Sequence, residues 1–121
     1  MYFTEKTSPS YTEVNNIDMA RQEFTTQVIE LVRSIPKGYV STYGDIAWMA
    51  GSPQAARQVA RILHTCSRAE ELPWHRVVNR DGRISLKPFQ GYEEQKVLLE
   101  DEGVEFDVTG KIDLDQYQWL T

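Results

Sequence analysis

Thr42-Tyr43-Gly44-Asp45-Ile46-Ala47-Trp48-Met49-Ala50-Gly51-Ser52-Pro53-Gln54-Ala55-Ala56-Arg57-Gln58-Val59-Ala60-Arg61-Ile62-Leu63-His64 reads as two helices joined by a tight turn. The Thr42 hydroxyl can cap the first helix, with Asp45 three residues on as a variant of the capping box. Gly51 stops it, and Ser52-Pro53 offers an N-cap and a first helical position for the second, predicted to run to about His64. Arg57, Arg61, His64 and Arg68 then advance by four, three and four residues, one stripe of a helix opposite Ala56, Val59, Ile62 and Leu63. Two helices across a Gly-Ser turn, the second with a basic face, form a helix-turn-helix candidate, although a solvated charged face gives the same pattern.

Upstream, Asp18 is the predicted N-cap of a helix whose apolar residues Phe24, Val28, Leu31, Val32 and Ile35 recur at helical spacing until Pro36 and Gly38 end it. Val40 is a short strand candidate. Downstream, Arg76 to Val78 and Arg83 to Leu86 flank the turn Asn79-Arg80-Asp81-Gly82, predicting a hairpin like the wing of a winged helix. Ser85 to Gly91 includes a loop, and Tyr92 to Glu102 reads as a helix anchored by Leu98 and Leu99 and closed by Gly103. Val104, Phe106 and Val108 alternate as a strand, Thr109-Gly110 turns, and the tail through Ile112, Leu114, Tyr117 and Trp119 is expected to pack on the domain. Residues 1–17, with no sustained period, read as a flexible leader to a single domain over 18–121. The expected fold is mainly α with short β-hairpins, a helix-turn-helix or winged-helix-like domain.

A chain of 121 residues builds one core. Its 40% hydrophobic and 26% charged residues suit a globular protein, and no stretch approaches the roughly 20 apolar residues of a membrane span. Met1 to Asn16 is polar and lacks the apolar segment of a secretory signal, so a cytoplasmic protein is expected. The single cysteine, Cys66, excludes an intrachain disulfide and a cysteine-rich zinc site, and no cofactor or metal is expected. The net charge of −5 argues against a nucleic-acid partner until its distribution is considered. Between Arg33 and Lys87 nine basic residues face four acidic ones, while the acidic excess lies in the two ends. Affinity for phosphate follows local charge, so the basic middle keeps DNA open as a partner.

Pro73-Trp74-His75-Arg76-Val77-Val78 resembles the Pro-Cys-His-Arg-Val active-site motif of the O6-alkylguanine-DNA alkyltransferases, with tryptophan at the cysteine position. That replacement is the mark of the alkyltransferase-like proteins. Val40-Ser41-Thr42-Tyr43-Gly44-Asp45-Ile46-Ala47 and Ala56-Arg57-Gln58-Val59 resemble the same family's helix-turn-helix, so the resemblance spans about Asp18 to the C-terminus. It implies that Tyr43 crowds the phosphate beside the target nucleotide and that Arg57 fills the gap left when the base rotates out of the duplex. Trp74 and Lys87 would belong to the pocket for the alkylated base, Lys87 standing where these proteins often carry arginine. His75 and Glu102 match the residues that activate the family's cysteine; with the nucleophile gone, they would shape the pocket by hydrogen bonding. Indole has no lone pair able to accept an alkyl group under these conditions, so transfer to Trp74 is chemically closed. Cys66 lies outside any Pro-X-His-Arg context and reads as inert packing.

The resemblance thus implies a monomeric, non-enzymatic sensor of O6-alkylguanine in duplex DNA that flips the nucleotide and hands the lesion to nucleotide excision repair proteins. It would act in the bacterial cytoplasm at the nucleoid, or in a eukaryotic nucleus. Two alternatives stay open: a winged-helix regulator that reads undamaged sequence, and a residual alkyltransferase working through His75 and Glu102. Residue by residue, each pattern also has a plainer reading: Tyr43 packed on its own helix, Arg57 and Lys87 as solvated charges, His75 and Trp74 as ordinary interior residues.

Overall fold

The computed structural model describes residues 9–120, and the side chains of 19–120. Its elements run α1 (Pro9–Ser34), β1 (Ser41–Thr42), α2 (Tyr43–Met49), α3 (Ala56–Glu70), a 3-10 turn (Trp74–Arg76), β2 (Val77–Val78), α4 (Tyr92–Asp101) and α5 (Leu114–Tyr117). The fold is mainly helical with one short strand pair.

Helix α1 begins at Pro9 rather than Asp18, so the expected boundary between leader and domain at 17/18 falls inside it; the rest of that leader lies outside the described residues. Hydrophobic period reports burial, not helicity, and residues 9–17 carry no sustained apolar period to betray the helix. Further along, Val28, Val32 and Ile35 are fully buried at the expected spacing. They meet Ile46 and Ala47 of α2 and Val59 and Leu63 of α3 in one core. The Thr42 hydroxyl accepts the Asp45 N–H at 3.0 Å and caps α2. The Asp45 carboxylate does not complete the box; it accepts a hydrogen bond from the Gln118 amide and ties the tail to α2.

Ser52-Pro53 is not the cap of α3. The Ala55 N–H donates to the Ser52 carbonyl at 2.9 Å, which places Pro53 at the second position of a turn, where its fixed φ is equally at home. Helix α3 starts three residues after Pro53 at Ala56 and runs past His64 to Glu70. It ends with Glu71 in the left-handed region, the Leu72 N–H donating to the Ser67 carbonyl at 2.9 Å, a Schellman closure made without glycine.

The predicted wing hairpin is the main departure from expectation. The turn forms, with the Gly82 N–H donating to Asn79 and the Asn79 N–H to Arg83, both at 2.9 Å. No strand follows it. Val77–Val78 instead pairs in parallel with Ser41–Thr42, and the Gly82 carbonyl accepts the Ile112 N–H at 2.8 Å, so the tail takes the place of a return strand. Gly82 has φ of +80°, and an added Cβ would lie 2.4 Å from the Ile112 carbonyl oxygen, so both conformation and space require glycine. The strand pair separates two cores because successive side chains point to opposite faces. Val77 joins the core under α1–α3, whereas Val78 joins Val40, Leu99, Val104, Ile112 and Tyr117 in a second. The strand expected over Val104 to Val108 reduces to a single antiparallel bridge between Phe106 and Ile112, with Val108 fully exposed.

Candidate nucleic-acid interface

The 3-10 turn leads directly into β2, packs against α4 and reaches Ile35 just beyond the end of α1. Glu102, at the C-cap of α4, accepts from His75 Nε2 at 2.8 Å, from Arg76 Nη2 at 2.7 Å and Nε at 3.0 Å, and from the Gly38 N–H at 3.2 Å. Gly38 sits at φ of +89° where a Cβ would be 3.3 Å from the Glu102 carbonyl oxygen, so glycine allows this close approach. Arg76 Nη1 reaches the Ile35 carbonyl at 2.8 Å, placing the guanidinium at the negative end of α1. Burial opposes the charge on Glu102, but the hydrogen bonds from Arg76, His75 and Gly38 outweigh it and hold the carboxyl at about 2, below its ordinary 4.5. From the middle of α4 the fully buried Gln95 amide donates to the His75 and Val77 carbonyls, each at 3.0 Å, and fixes the backbone of the turn.

Trp74 is half-buried and meets the His75 ring edge-on, with centroids 6.1 Å apart and planes at 87°. His75 is thus held on one side by a carboxylate and on the other by an indole. Arg76 and Gln95 complete this bracket, and sequence reading assigned neither. A signal existed for the second: Gln95, Leu99 and Glu102 are spaced as one face of α4.

Tyr43 opens α2 and packs on the core, its hydroxyl facing the Ser85 side chain. Burial raises its phenol above the ordinary value, the bond to Ser85 pulling the other way. The ring is therefore neutral throughout the physiological range, and its polar tip faces the loop over Ser85 to Gly91. Lys87 is exposed in that loop, its carbonyl accepting the Gln90 N–H at 2.9 Å. Arg57 lies in the first turn of α3 and is exposed, as are Arg61, His64 and Arg68 along the same stripe. The structure therefore joins Trp74, His75 and Glu102 in one cluster and Tyr43 with the loop carrying Lys87 in another, and it leaves Arg57 free on the surface.

The basic middle of the chain resolves into two populations. Arg33 is spent on Glu70, Arg76 on Glu102 and Arg83 on the Thr109 carbonyl. Among the described residues Arg57, Arg61 and Arg68 make no ion pair, so α3 presents a continuous cationic edge to solvent. Among the described residues, too, no group of three or more His, Cys, Asp or Glu is placed to hold a metal ion, and no helix is long and apolar enough to cross a membrane.

Residues 23–104 match the model of the 6-O-methylguanine DNA methyltransferase DNA-binding domain. The chain is 49% identical over 96 residues to the DNA base-flipping protein of Escherichia coli, covering 79% of this chain and 74% of that one. It is 42% identical over 106 residues to alkyltransferase-like protein 1 of Schizosaccharomyces pombe, covering 84% and 98%. The crystal structure of that S. pombe protein, Atl1, in complex with damaged DNA containing O6-carboxymethylguanine superposes with a TM-score of 0.73 over 83% of this chain and 97% of the other. By sequence and by fold, the chain belongs to the alkyltransferase-like, base-flipping members of the 6-O-methylguanine DNA methyltransferase DNA-binding-domain family.

Proposed function

We propose that this protein binds O6-alkylguanine in duplex DNA by rotating the damaged nucleotide out of the helix, and that it leaves the alkyl group where it is. The observation that carries the reading is Trp74 beside the His75–Glu102 pair. The pair that would activate a nucleophile is intact, and the residue next to it is an indole that cannot serve as one. The names of its base-flipping relatives and the damaged-DNA complex of Atl1 support the same reading.

In this reading the α3 stripe neutralises phosphates and Arg57 enters the duplex from the minor groove. Extraction of a base costs a few kcal/mol of stacking and pairing, and the planar Arg57 guanidinium replaces part of that stack. Tyr43 crowds the phosphate beside the target with a ring fixed by its own core contacts. Trp74 offers the extruded base an aromatic face, with Lys87 at the rim of the pocket. His75 and Glu102 hold the 3-10 turn in shape. The bound, bent DNA then marks the site for nucleotide excision repair proteins, a role that rests on family resemblance.

Fluorescence titration with duplexes that differ only in one O6-methylguanine tests the proposal. Tighter binding to the lesion at fixed salt is expected; equal affinity for guanine and O6-methylguanine would sink it.

A further inference from the structure

Lys87-Pro88-Phe89-Gln90 closes as a turn, with the Gln90 N–H on the Lys87 carbonyl at 2.9 Å. Proline at its second position and a φ of +65° at its third follow the type II pattern, in which the third position belongs to glycine because a Cβ crowds the local backbone there. Phenylalanine occupies it. The one other non-glycine residue of positive φ among those described is Glu71, and it closes helix α3. Phe89 closes no helix, and its ring is 95% exposed, so the fold gains no packing from the side chain that strains its backbone.

The turn is nonetheless held at both ends. The Phe89 N–H donates to Glu93 Oε1 at 2.9 Å and the Tyr92 N–H to the Lys87 carbonyl at 3.4 Å, which pins the turn to the start of α4. Four residues before Phe89, the Ser85 side chain faces the Tyr43 hydroxyl. A large apolar ring is thus presented to solvent from an anchored turn, between the tyrosine at the start of the helix-turn-helix and the helix that buttresses Trp74. Strain of this kind persists where the strained group has work to do outside the fold.

We propose that Phe89 is a DNA contact, its ring packing against the sugar and base of a nucleotide next to the extruded one. In this proposal the exposed ring meets the duplex rather than the base pocket, and every base and sugar offers it an apolar surface whatever the sequence. This inference rests on the flipping reading above.

Phe89→Gly separates the contact from any part in stability, because glycine relieves the backbone while removing the ring. The variant is expected to unfold at the same temperature as the parent protein or higher, and to bind lesion duplexes about tenfold more weakly, by the same factor for methyl and for larger O6-alkyl groups. Phe89→Tyr, which keeps the aromatic face, should bind as the parent does. A Phe89→Gly affinity equal to that of a lesion-selective parent would overturn the inference. So would a lowered unfolding temperature, which makes the ring structural, or a loss that grows with alkyl size, which puts the ring over the lesion. Failure of the underlying reading shows separately, in a parent protein that binds guanine and O6-methylguanine duplexes equally.

Discussion

Replacing Glu102 by alanine removes the acceptor shared by His75, Arg76 and the Gly38 N–H. The side chains of the triad are only 10% exposed for Glu102, 12% for His75 and 16% for Arg76, so water restores little of what is lost. Breaking a buried ion pair by deleting one partner costs about 3–5 kcal/mol. Arg76 keeps its bond to the Ile35 carbonyl and all three groups touch solvent at the rim, so the low end, about 3 kcal/mol, applies. With an unfolding entropy of about 2.1 cal/mol/K per residue, a domain of this size unfolds with roughly 0.25 kcal/mol/K, and the unfolding temperature should fall by about 12 °C. Differential scanning calorimetry at neutral pH measures this directly. A fall of less than about 4 °C would mean that the bracket contributes no more than a surface pair, and the argument that it shapes the pocket would fail.

The same carboxyl predicts a pH dependence. Its folded value of about 2 lies below its ordinary 4.5, so the stabilisation is complete above that value and is lost as pH falls through about 2. The stability gap between the parent protein and Glu102→Gln, from urea unfolding, should therefore narrow between about pH 6 and about pH 3; a gap that widens contradicts the assignment. On the DNA side, Arg57→Ala should weaken lesion binding about tenfold or more without changing the unfolding temperature, since the side chain is free on the surface. Tyr43→Phe keeps the ring that crowds the phosphate, so a smaller loss than that of Arg57→Ala is expected in the same titration. Arg61→Ala and Arg68→Ala should each flatten the plot of log K against log salt by about one unit while lowering affinity for lesion and guanine duplexes alike.

What could be read from the residues was what is local. Val28, Val32 and Ile35 declared a buried helical face, Thr42 a helix cap, and Asn79 to Gly82 a turn, because each is determined by neighbours within a turn or two of chain. The pairing of Ser41 with Val77 was not legible. Its partners are far apart in sequence, and a two-residue parallel strand carries no alternation to distinguish it from a hairpin arm. The early start of α1 was hidden because residues 9–17 carry no sustained hydrophobic period from which a helix can be read. At the site, the resemblance placed Trp74, His75 and Glu102 together, and Arg76 stood in the quoted motif without a role. Its part as the cation paired with Glu102 depends on where Ile35 and Gly38 end up, which only the tertiary fold determines. Phe89 gave no warning because a left-handed residue is anticipated where glycine or asparagine is written.

The central claim is recognition of an alkylated base without its repair, and the fate of the alkyl group tests it most directly. The protein is incubated with a duplex carrying one O6-methylguanine, and the complex is isolated and dissociated. The intact mass of the protein and the base composition of the DNA are then measured together. The account predicts a protein of unchanged mass and a duplex that still contains O6-methylguanine. A protein heavier by one methyl group, or guanine in place of the lesion, would contradict it.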